Sequence, residues 1–189
     1  MNLAALASAE RQLLSRVEQV TGLMEEKHEQ LQQSGVYAEY GKIYEAYVDL
    51  IEPESEGLEA LKRAIFLKWY ESAEPSCFSG VFGLPEQASR EVFEALERRI
   101  EAGELDYELQ WMLPYYHMIA EWVFSQYADL PHLRSLLAQT DSGLWERAKV
   151  RAEDFTGRGQ MKEYWVSIIE SNATRFGKGT SYSGLQTNE

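Results

Sequence analysis

Apolar residues recur at steps of three and four along most of this chain, and nowhere do β-branched and polar residues alternate over the length of a strand. The first pattern is the signature of an amphipathic helix and the second would be that of a half-buried strand. Asn-Gly and Asp-Gly, the tight-hairpin dipeptides, do not occur. The sequence therefore predicts an all-α chain. No segment repeats at a fixed period, which favours a compact multi-helix bundle of about six to eight helices over a helical-repeat solenoid.

The spacing predicts a first helix over Leu3–Gln33, with Leu6, Leu13, Val17, Val20, Met24 and Leu31 on one stripe, weakened at Thr21-Gly22 and ended by Ser34-Gly35. A second helix, Val36–Ile51, carries Tyr37, Tyr40, Tyr44 and Tyr47 on its stripe and stops at Pro53. Ser55 is placed to cap a third, Glu56–Ala73, whose segment Ala64–Tyr70 is apolar nearly all round and so belongs at the centre of the fold. Glu74–Leu84 reads as a loop. Pro85 opens a fourth helix that Gly103 closes, and Asp106 caps a fifth over Tyr107–Tyr127. Pro114 lies deep inside that fifth pattern. It removes one backbone hydrogen bond at a cost of about 3 kcal/mol, so a kinked or broken helix is expected near Pro114. Further helices are expected over Pro131–Gln139, Leu144–Asp154 and Met161–Phe176. Residues 1–176 then make a single all-helical domain, and the small, polar residues 177–189 a flexible C-terminal tail.

Charge narrows the function classes. The formal net charge is −13, with −14 in residues 1–130 and +1 in residues 131–189. So acidic a surface repels phosphate backbones and anionic lipid, which argues against nucleic-acid and membrane partners; it serves solubility, or else attracts a basic protein partner or the chain's own more basic end. No run approaches the ~18 apolar residues of a membrane span, and the N-terminal residues lack a basic flank, so a cytoplasmic location is expected. The single cysteine, Cys77, fits a reducing compartment and reads as a buried, inert thiol.

Three histidines bound the metal chemistry available. His28 pairs with Glu25 at i, i+3, His117 with Glu121 at i, i+4, and Asp129 with His132 at i, i+3. Di-iron bundles use two carboxylate–histidine pairs and two further glutamates, and that pattern is incomplete here. His28 falls in the charged run Glu25–Glu29 and reads as solvent-facing. No cofactor motif is found. Gly177-Lys178-Gly179-Thr180 lacks the frame of a phosphate loop, and Gly157-Arg158-Gly159 has no preceding strand. Aromatic residues cluster instead. Trp69 and Tyr70 end the third helix, while Trp111, Tyr115, Tyr116, His117 and Trp122 flank Pro114. Such a group fills a core or lines a ligand cavity. In the Glu74–Leu84 loop, Phe78, Val81, Phe82 and Leu84 are too apolar to lie free in water, so the loop is pinned to the core, covers a pocket or meets a partner.

Three functional readings follow. The first is a non-catalytic, cytoplasmic helical interaction or regulatory protein. The second is a small-molecule binder with an aromatic pocket around Trp69, Tyr70, Trp111, Tyr115, Tyr116 and His117. The third is a metal-dependent helical-bundle enzyme using His117 and Glu121. A homodimer is expected from the length of the first apolar stripe.

Overall fold

The computed structural model describes residues 1–52, 56–139 and 150–176, the last five by their backbone alone. The chain folds as an all-α bundle of α1 (Leu3–Gln19), α2 (Met24–Gln33), α3 (Val36–Val48), α4 (Gly57–Ala73), α5 (Ser76–Ser79), α6 (Glu86–Ala102), α7 (Tyr107–Ile119), α8 (Glu121–Ser125), α9 (Pro131–Ala138), a 3-10 turn (Ala152–Phe155) and α10 (Gln160–Phe176). The predicted cap at Ser55, most of the helix predicted over Leu144–Asp154, and the tail from Gly177 lie outside the described residues.

α4 is the central element. Eleven of its seventeen residues are buried, and it packs against α3, α5, α6, α7, α8 and α10. The apolar run Ala64–Leu67 and Trp69 enter the core on several sides at once, as an all-round apolar helix must. The three cations on α4 are buried too, each against carboxylates. Lys62 meets Glu108 and, at 2.6 Å, Asp106. Arg63 meets Glu59 at 2.7 Å, and Lys68 meets Glu71 at 3.0 Å. One apolar core runs from Leu6 on α1 to Trp165 on α10.

The long first helix is two helices. α1 ends at Gln19, and Gly22 takes φ +120°, a left-handed conformation that side-chain-bearing residues rarely adopt. The chain turns there, so α2 packs on α3 and α5, while α1 packs on α3, α5 and α10. The fifth helix also divides, but not at the proline. α7 carries Pro114 within it and runs on to Ile119, and Ala120, at φ −145° and ψ 65°, separates α7 from α8. The Asp106 carboxylate accepts the Leu109 N–H at 2.9 Å, so the predicted cap sets where α7 begins.

Contacts between distant segments fix how the helices sit. Glu97 on α6 accepts the N–H groups of His132 and Leu133 at 2.8 and 2.7 Å, capping α9 from outside it. Burial pushes the Glu97 carboxyl up, but these N–H groups and the His132 ring outweigh it and hold it below the usual carboxylate range. Glu10 on α1 is 1% exposed. It accepts the Tyr47 hydroxyl on α3 and, at 2.8 Å, the Gln160 N–H that opens α10. Burial pushes its carboxyl above the ordinary value in spite of those bonds. Gly159 makes this contact sterically feasible. Its φ is +57°, and a Cβ there would stand 2.4 Å from Glu10 Oε2.

Candidate functional site

The predicted aromatic cluster exists, and the fold brings five of its six members together. Trp69 and Tyr70 from α4 meet Trp111, Tyr115 and Tyr116 from α7, and α10 adds Tyr164 and Trp165. Trp69 Nε1 donates to the Tyr116 carbonyl at 3.0 Å, and Trp165 Nε1 donates to the Tyr116 hydroxyl at 3.0 Å. The Tyr115 and Tyr164 hydroxyls share a 2.6 Å hydrogen bond. Trp69, Trp111, Tyr116 and Trp165 are buried, and Tyr70 and Tyr115 half-buried. Burial lifts the Tyr70 phenol to about 12. Within the described contacts the rings pack face and edge on one another, and these indole and phenol groups bond inside the cluster. The contribution of α10 was hidden in the sequence, because Tyr164 and Trp165 lie 49 residues from their hydrogen-bond partners on α7 and farther still from Trp69 and Tyr70.

His117, the sixth member, stands apart. Its ring meets Phe124 edge-on at 5.8 Å and lines a groove of about 270 Å³ with Phe124, Tyr127, Leu133, Arg134 and Leu137. Ala120 interrupts the helix between His117 and Glu121, so the two are not successive turns of one helix. The other carboxylate–histidine pairs are also re-partnered. Asp129 takes a bidentate bond from Arg90 at 3.0 and 2.7 Å, and His132 pairs with Glu97. Among the described residues no three His, Cys, Asp or Glu side chains are grouped to hold a metal ion.

His28 is the residue whose setting differs most from its sequence context. It is half-buried rather than solvent-facing. Its Nδ1 lies 3.0 Å from the Tyr37 hydroxyl and 3.1 Å from Ser76 Oγ, and the two hydroxyls are 3.4 Å apart. Its ring meets Phe82 edge-on at 5.0 Å. One ring nitrogen thus faces two hydroxyls. As an acceptor it takes one of their protons, and with the Tyr37 hydroxyl donating to Ser76 Oγ, Ser76 is left to donate to Nδ1, the nucleophile–base contact that acyl transfer needs. These residues come from three separate helices, α2, α3 and α5, and the charged neighbours of His28 disguised its buried side.

The Glu74–Leu84 segment splits its apolar residues between two duties. Val81 and Leu84 are buried in the core, whereas Phe78 and Phe82 are each 48% exposed. Lys27 Nζ sits 5.2 Å from the Phe78 ring centroid. Leu23 and Met24, also exposed, stand one turn before Lys27 and His28 on the same sides of α2. Nine large apolar side chains are exposed among the described residues. Four of them gather on this α2–α5 face beside Glu25, Glu26 and Glu29, and three, Met118, Ile119 and Trp122, gather at the α7–α8 break. No described helix is long and apolar enough to cross a membrane.

Comparison of the chain with protein-family models, with curated proteins and with solved structures finds no match.

Proposed function

We propose that this is a non-catalytic, cytoplasmic interaction protein whose α2–α5 face docks a basic protein partner. The observation that carries the reading is the gathering of Leu23, Met24, Phe78 and Phe82 beside Glu25, Glu26 and Glu29. Exposed aromatic anchors with a charged rim are the anatomy of a binding hot spot. The acidic rim and the net charge of −13 select a basic partner and speed its approach. The test uses the full chain as bait beside its Phe78→Asp, Phe82→Asp double variant. A partner held by the native chain at low salt should be lost from the variant and released as salt approaches 1 M, where the Debye length is about 3 Å. Retention that ignores both the variant and the salt would refute this face.

A second reading rests on the 3.1 Å contact between Ser76 Oγ and His28 Nδ1. In an acyl transfer, Ser76 Oγ adds to the acyl carbon as its proton passes to His28 Nδ1; the bond from that carbon to the leaving group breaks as the leaving group takes the proton, and water then releases the acyl group from Ser76. A fluorophosphonate probe should label Ser76, and Ser76→Ala and His28→Gln should each abolish labelling. An unlabelled native protein ends this reading and leaves the interaction reading untouched.

A further inference from the structure

The α7–α8–α9 face has a composition unlike the rest of the chain. Between Leu109 and Ala128 the only charged residue is Glu121, in a protein that is 26% charged. Met118 is 69% and Trp122 54% exposed, with Ile119 exposed beside them. A groove lined by His117, Phe124, Leu133, Arg134 and Leu137 is built from these same helices. Ser125 lines that groove as well, and Trp122 and Glu121 stand three and four residues before it on α8, so both are on the groove side.

We propose that this face docks a second copy of the chain about a two-fold axis, with Trp122 of each copy seated in the groove of the other. Self-complementarity is what a two-fold interface requires, since residue i must meet j while j meets i. The face supplies both halves of that requirement, an exposed indole beside an apolar groove and one acid beside one base. Glu121 makes no side-chain ion pair among the described residues. Among the described residues the Arg134 guanidinium bonds the Ala128 carbonyl, at 3.3 Å, and no carboxylate. Each is therefore free to pair with the other across the axis. A basic partner finds little to attract it here. Two acidic bodies can approach here because the contact brings almost no carboxylates together. The face lies on helices other than those of the α2–α5 face, so its test is independent of the function proposed above.

Native mass spectrometry and sedimentation of the full chain, from ~1 to ~100 µM, should show a dimer with a dissociation constant on the order of micromolar. Trp122→Glu should give a monomer with an unchanged helical circular dichroism spectrum. Glu121→Arg and Arg134→Glu should each weaken dimerisation about tenfold, and the two together should restore it, because the swapped pair is again opposite in sign. That rescue keeps the test decisive even where Trp122→Glu disturbs folding. A native chain that stays monomeric at ~100 µM overturns the proposal. So does a dimer that survives Trp122→Glu, or a charge swap that fails to rescue.

Discussion

Replacing Glu10 by alanine will lower the unfolding free energy by about 3 kcal/mol, whereas Glu10→Gln will cost under about 1 kcal/mol near neutral pH. The difference lies in what each variant leaves behind. Alanine removes the acceptor of the Gln160 N–H and of the Tyr47 hydroxyl, both deep in the structure, and opens a void between α1, α3 and α10. Glutamine keeps an oxygen for the Gln160 N–H, and its amide can donate to the Tyr47 oxygen. The pair also separates on titration. Burial raises the carboxyl of Glu10 in the folded protein above its ordinary value of 4.5, so the folded state holds that proton more tightly than the unfolded chain does. Its contribution to stability is fully present below the unfolded value and is lost as pH rises through the folded one. Subtracting the Gln variant from the native protein isolates this slope. Carboxylates such as Glu97 and Asp129, whose values are lowered by their partners, slope the other way and are common to both chains. Urea unfolding from pH 4 to 8 should show the native protein losing stability relative to Glu10→Gln with rising pH. Parallel curves would mean that Glu10 does not hold the buried position described.

Trp165→Ala should cost about 3–5 kcal/mol, and Trp165→Phe about 1–2 kcal/mol. Trp165 is fully buried and lies 4.5 Å from Trp111 and 5.0 Å from Tyr115 between ring centroids, so alanine leaves a cavity walled by aromatic rings. Phenylalanine fills most of that space but loses the Nε1 donor to the Tyr116 hydroxyl. The two costs together separate packing from hydrogen bonding at one position. Denaturant unfolding followed by circular dichroism measures both. A cost below about 1 kcal/mol for Trp165→Ala would show that α10 frays from the bundle without global unfolding, a local rather than cooperative attachment.

Much of the fold was legible because its signals are local. The stripe of Tyr40, Tyr44 and Tyr47, the all-round apolar segment of α4, the Asp106 cap and the Gly103 stop each depend on a few neighbouring residues, and each appears where the spacing places it. The misplaced boundaries were decided by tertiary packing. Thr21-Gly22 read as a weak point in one helix, yet Gly22 turns the chain so that α2 covers α3. Pro114 read as the site of a kink or a break, and the break falls instead at Ala120, which carries no local breaking signal.

The candidate sites divide in the same way. Trp69, Tyr70, Trp111, Tyr115 and Tyr116 could be grouped from sequence, since they fall on two predicted helices rich in rings. His28 beside Tyr37 and Ser76 could not, because no spacing rule joins residues on three helices. Nor could the pairing of His132 with Glu97, because the nearer Asp129 offers a local partner that Arg90 takes instead.

The helical class, the acidity, the Asp106 cap and most of the apolar core could be read from the sequence. Those properties follow from backbone propensity and from the transfer of apolar surface out of water, and both act residue by residue. Only the tertiary structure decided which polar groups meet. Glu10 reaches Gln160 across 150 positions, Glu97 caps a distant helix, and two apolar faces remain exposed. A buried hydrogen bond needs its partner within about 3 Å, and which distant residue the folded chain brings that close is fixed by the whole packing rather than by any local pattern.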